Sequence, residues 1–140
     1  DKLLVCSAMI CLVELGQLSG VYADVLAKNL HCPVLVCDRD AIVAATGPNK
    51  ADLKGRPVSD AMQKLLAMRT TYTAPADPER RLRALERSDR QILCASPIVA
   101  HGDVEGGVLT LGTAKDPPPD EHTVASLAIA AAFLAKWMEE

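Results

Sequence analysis

Apolar residues recur at three- and four-residue steps early in the chain. Leu15, Leu18, Tyr22, Val25 and Leu26 follow one another in this way, Asn29 continues the row, and Leu30 adjoins it. That spacing puts them on one side of a coil and predicts a helix over 11–30. Gly16 and Gly20 weaken it. His31, Cys32 and Pro33 end it, because proline drives the residue before it out of helical geometry. The period then shortens to two. Residues 34–37 and 41–45 are short apolar runs, and Asp38, Arg39 and Asp40 separate them as a polar turn. This predicts a β-hairpin. In its first strand Val34 and Val36 point to one face, and Leu35 and Cys37 to the other. Both faces are apolar, so the sheet needs helices over each.

Residues 46–49 form a loop, a short helix follows at 49–54, and Gly55 stops it. A second short helix spans 58–68, capped by Ser59 or Asp60, with Met62, Leu65, Leu66 and Met68 on its apolar side. Residues 70–73 have strand composition. Prolines at 75 and 78 break the chain. The stretch RRLRALER at 80–87 fits helix or strand by pattern. A turn at 88–90 and a clear strand at 91–99 follow it, which favours a solvent-facing strand. A turn at 101–103 leads to a partner strand at 104–112, where Gly106 and Gly107 mark a bulge or a close contact. Three prolines at 117–119 precede a long final helix over 120–139, capped by Asp116 or Asp120. Val124, Leu127, Ala131, Leu134 and Met138 form one stripe on it, and Ile129, Phe133 and Trp137 another. One sheet does not cover both stripes, so the second predicts a partner helix and a homodimer. The expected fold class is α+β: an antiparallel sheet with the terminal helices on one face and short helices on the other.

Composition narrows the function. The 140 residues are 49% apolar, enough for one buried core, but only 3% aromatic. The net charge of −3 supplies no basic footprint for nucleic acid. Five cysteines (Cys6, Cys11, Cys32, Cys37 and Cys94) include no CxxC pair, so the expectation is reduced, mostly buried thiols and no metal. The apolar run at 3–13 is too short to span a bilayer and lacks a cleavage site, and the chain starts on Asp, as a fragment does. It is expected to be a linker or strand left from a preceding domain, with one domain over 14–140 in a cytoplasmic protein.

The segments YADVLAKNL (22–30), PVLVCDRDAIVAATG (33–47), SPIVAHGDVEGGVLTLG (96–112) and FLAKWMEE (133–140) resemble the GAF domain. Within that superfamily they are similar to the family of stage V sporulation protein T carboxy-terminal domains. The likeness covers about residues 14–140, and its motifs describe a scaffold rather than a catalytic centre. It implies a regulatory, signal-sensing domain of a sporulation-type transcriptional regulator, not an enzyme and without a cofactor. It also implies pairing through the terminal helices, and DNA contact only through a separate AbrB-like amino-terminal domain. Residues 1–13 lack the basic, proline-containing hairpin of that module.

The resemblance implies a cavity between the sheet and its outer helices. Cys37, Met62, Leu66, Tyr72 and Cys94 are its candidate lining, with Arg69 as an anion-binding fork. The bland alternative is that these residues only fill the core. Leu15, Leu18, Tyr22, Ile129, Phe133 and Trp137 are the candidate dimer contacts. The arginines at 80, 81, 83, 87 and 90 read as a solvated edge strand rather than an anion surface. His31, His101 and His122 are scattered, Ser96 and Ser126 lack a nucleophile elbow, and GDVEGG joins strands instead of cradling phosphate. Two other functions remain open: a purely structural dimerisation module, and a methionine sulfoxide reductase using Cys32, Cys37 or Cys94.

Overall fold

The computed structural model describes residues 2–47, 50–86 and 88–139, with side chains from residue 16 onward. A long helix α1 (Lys2–Leu30) leads into strands β1 (Val34–Asp38) and β2 (Ile42–Ala45). Two short helices follow, α2 (Lys50–Leu53) and α3 (Asp60–Ala67). Strand β3 (Tyr72–Thr73) precedes a short 3-10 turn (Pro78–Arg80), then β4 (Gln91–Ala100), β5 (Asp103–Gly112) and helix α4 (Glu121–Glu139). The strands form one sheet in the order β2-β1-β5-β4-β3, every neighbouring pair antiparallel.

Strand parity divides the core as the alternation requires. Val34 and Val36 meet Ala23 and Leu26 of α1 and Leu127, Ala131 and Leu134 of α4. Leu35 and Cys37 meet Leu53 of α2 and Met62, Leu65 and Leu66 of α3. The sheet is therefore sandwiched, with the terminal helices together on one face. Of the two candidate caps for α4, Asp120 serves: its Oδ1 accepts from the Thr123 amide at 2.8 Å.

Two expectations are corrected. The run at 3–13, for which a strand is one of the two readings, is helical and part of α1. It contains neither Gly nor Pro, and its Leu, Ala and Met residues are good helix formers. Residues 80–86, read as part of a solvent-facing strand, do not form one. One isolated bridge, Arg83 to Gln91, is their only strand-like pairing among the described residues. Ala84 and Leu85 instead turn inward and join the core beneath α3. Asn49 and Arg87 lie outside the described residues, as do the side chains of Cys6, Cys11 and Leu15.

Candidate functional site

Helix α3 is fixed at its start. Ser59 Oγ accepts from the Met62 amide at 3.1 Å and donates to the Arg83 carbonyl at 2.7 Å. Met62, Leu65 and Leu66 then face the sheet. The sheet comes close here because of two glycines. A Cβ at Gly106 would run into the Cys37 carbonyl oxygen, and one at Gly107 into the Leu66 side chain. Beyond Leu66 the cover is incomplete. A groove of about 490 Å³ lies on the other side of the molecule, but on this face the opening is about 340 Å³, lined by Arg39, Gln63, Leu66, Ala67, Val104 and Gly106. Its rim is the β1–β2 turn, held by Asp38 Oδ1, which accepts from the amides of Asp40 and Ala41 at 2.8 Å each. Gln63 donates to the Arg39 carbonyl at 3.2 Å. The Arg39 guanidinium approaches Glu105 at 3.9 Å, too far for a hydrogen bond. The groove thus offers apolar wall from Leu66, Ala67 and Val104 and a cation at its mouth, the pattern of a small-ligand site.

The structure brings together three of the six residues expected around such a cavity. Leu66 lines the groove, and Met62 and Cys37 lie fully buried beside it in the same layer. Tyr72 packs against that layer from the far edge strand, with its hydroxyl buried and without a hydrogen-bond partner. Arg69 is exposed, in a left-handed conformation (φ 61°) just after α3. Cys94 packs on the opposite face, with α1 and α4. A register irregularity between Ile92 and Cys94 reverses the parity, so these two residues, two apart, face opposite ways. Arg39, Gln63 and Val104 were missed. The signal was there in part: Arg39 sits at the tip of the DRD turn, and Gln63 one position from the apolar side of α3.

The α1–α4 face carries the groove of about 490 Å³, whose lining includes Leu18, Val21, Tyr22, Val25, His122 and Phe133. Tyr22 and Phe133 stack across it with ring centroids 5.3 Å apart. Large apolar side chains stand in solvent along it: Val21 is 65% exposed, Val25 54% and Phe133 45%; Ile129, one turn before Phe133 on α4, is 63% exposed. Leu18, Tyr22 and Trp137 are partly buried against the core. The stripe is thus made by Val21 and Val25 together with Ile129 and Phe133, while Trp137 turns back onto the domain.

The described cysteines are Cys32, Cys37 and Cys94, none in a disulfide. Burial pushes the Cys37 thiol up to about 12 and the Cys94 thiol up to about 11. Cys32 is also raised, by burial first and then by Asp120 and Asp116. Among the described residues no three His, Cys, Asp or Glu side chains converge as metal ligands do, and no helix is long and apolar enough to cross a membrane.

Residues 14–139 match the family model described as stage V sporulation protein T C-terminal, transcription factor. The chain belongs to that family. It is 32% identical over 127 residues to stage V sporulation protein T of Bacillus subtilis (strain 168), covering 91% of the chain and 70% of that protein. Solved structures confirm the GAF fold at low identity. The GAF domain of an Acinetobacter phosphoenolpyruvate-protein phosphotransferase superposes with a TM-score of 0.70 at 13% identity, covering 99% of this chain and 93% of that one. A type II free methionine-R-sulfoxide reductase from Thermoplasma acidophilum gives 0.67 at 12% identity, covering 89% and 94%. The chain is therefore a regulatory GAF domain of a transcription-factor family.

Proposed function

We propose that this domain is the signal-receiving module of its transcription factor, taking a small molecule on one face and pairing with a second copy through the other. The observation that carries this reading is the division of labour across the sheet. The α3 face has a groove with apolar wall and a cation at its mouth. The α1–α4 face has an apolar stripe that no described residue covers. Contiguous exposed apolar surface on a soluble domain marks an interaction site, and a C₂ pairing of helices covers such a stripe with itself. The ligand class that fits the groove is a small anion with an aliphatic part: its charge towards Arg39, its apolar portion against Leu66, Ala67 and Val104. DNA contact belongs to another part of the regulator, since this chain is net −3.

Thermal shift against a panel of small organic acids tests sensing. A binder present at 100 times its Kd stabilises by about 2.7 kcal/mol, and Arg39→Ala abolishes that gain. No shift for any member of the panel removes the small-molecule half of the proposal. Sedimentation tests pairing: the chain runs as a dimer, and Phe133→Asp runs as a monomer. The purely structural reading differs only in lacking the ligand, and the packed Cys37 and Met62 layer favours it over a deep cavity. For sulfoxide reduction a thiolate nucleophile is needed. Burial raises the thiols of Cys32, Cys37 and Cys94, and Cys37 and Cys94 sit on opposite faces of the sheet, which disfavours such a nucleophile; the likeness to the reductase is one of fold.

A further inference from the structure

Arg81 is the only charged side chain that the fold buries among the described residues, at 8% exposure. No carboxylate pairs with it there. Its donors go to main-chain carbonyls instead. Nε donates to Pro75 at 2.9 Å, and one Nη donates to Asp116 at 2.7 Å and to Thr113 at 3.3 Å. A buried guanidinium is costly unless its hydrogens are taken up. Its rigid planar fork, once satisfied, fixes both contacting loops in one geometry. The two loops are the one after β3 and the one between β5 and α4.

Each loop leads to a helix cap. Two residues beyond Arg81, the Arg83 carbonyl accepts from Ser59 Oγ, and the Ala84 carbonyl accepts from the Ser59 amide at 2.7 Å. Ser59 caps α3. In the other direction, Asp116 is followed by three prolines and then Asp120, the cap of α4. Asp116 itself is held, because its Oδ2 accepts from the Thr113 amide at 2.7 Å. A run of prolines is an extended, semi-rigid spacer. Helices α3 and α4 lie on opposite faces of the sheet. The described path joins their caps around the strand ends, through hydrogen bonds and a stiff rod, without crossing the packed sheet.

We propose that Arg81 is a latch that couples the seating of α3 to the seating of α4. The proposal rests on the functional reading above only in that α3 borders the sensing groove and α4 the pairing face. The coupling is a property of the chain alone, so it is tested without ligand, by hydrogen exchange on the whole chain.

Ser59→Ala removes the α3 cap. Exchange in 60–67 is expected to rise about fivefold, the opening that loss of a cap gives, and exchange in 123–130 about twofold or more. Pro118 is exposed, so Pro118→Gly softens the rod without disturbing the core. In that background Ser59→Ala still loosens 60–67 but adds nothing at 123–130. Arg81→Met, an apolar replacement that leaves no buried unpaired charge, has the same blocking effect. Three results overturn the latch: a Ser59→Ala response that stops at 60–67 and its immediate neighbours, one that reaches 123–130 undiminished through Pro118→Gly, or a uniform rise across β4 and β5. If no ligand binds the groove, the sensing proposal falls and the exchange result stands; if the exchange result fails, the groove is untouched.

Discussion

At the level of single residues, Thr46 closes the start of β1. Its Oγ1 accepts from the Val34 amide at 2.9 Å and donates to the Val34 carbonyl at 3.2 Å, both buried. Thr46→Val keeps the shape but strands the Val34 amide. The expected loss is about 1–3 kcal/mol in urea unfolding. Gly106 and Gly107 look alike in sequence and differ in what they face. A Cβ at Gly107 meets chiefly the end of a flexible leucine, which can move, with the Ser96 carbonyl oxygen a looser contact at 3.3 Å; one at Gly106 runs into main chain, which cannot move. Gly106→Ala is therefore expected to cost about 3 kcal/mol or more, and Gly107→Ala less, with Leu66 displaced towards the groove. Cys37 gives a pH signature. Its folded thiol is raised from 9.0 to about 12, so the folded state holds the proton that the unfolded state releases. Its stabilisation is complete below about pH 9 and fades as pH climbs towards 12. Urea midpoints should fall across that window, and fall less in Cys37→Ala. The face of Cys37 was legible, because the alternation of 34–37 is unbroken. The face of Cys94 was not, because an irregularity in the ladder leaves no mark in composition.

At the level of elements, α3, α4 and the two hairpins follow directly from periodicity, caps and turn residues. The stretch 80–87 shows what periodicity misses. Four arginines within eight residues suggest a solvated edge, yet the segment is held by specific hydrogen bonds that no pattern encodes. Arg81 binds carbonyls distant in sequence, Ser59 binds Arg83 and Ala84, and the Ile92 amide donates to Leu82 at 2.8 Å. Arg81, Ala84 and Leu85 therefore behave as core, while Arg80, Arg83 and Glu86 stay exposed. Leu85→Ala is expected to cost about 2–5 kcal/mol, as a buried leucine does, where a solvent-facing strand position would lose under about 0.5 kcal/mol. Equilibrium unfolding separates these values cleanly. The groove was only half legible for a related reason. Its apolar wall belongs to the amphipathic pattern of α3, but its mouth is a turn residue, Arg39, brought there by the fold.

At the level of the whole molecule, one sheet separates two surfaces that differ in kind. The proposed pairing through the α1–α4 stripe predicts a stability that depends on protein concentration, since association favours the folded state. The melting temperature should rise with concentration for the natural chain and become independent of it in Phe133→Asp. The low aromatic content has a further effect on that face. The chain has a single indole, Trp137, and it sits near the end of α4, partly covered by the core next to the pairing stripe. Its emission colour and quenching by iodide or acrylamide therefore report on one place only. Any tilt, release or docking of the last helix changes the water around that ring, so the domain carries its own optical gauge and needs no added label.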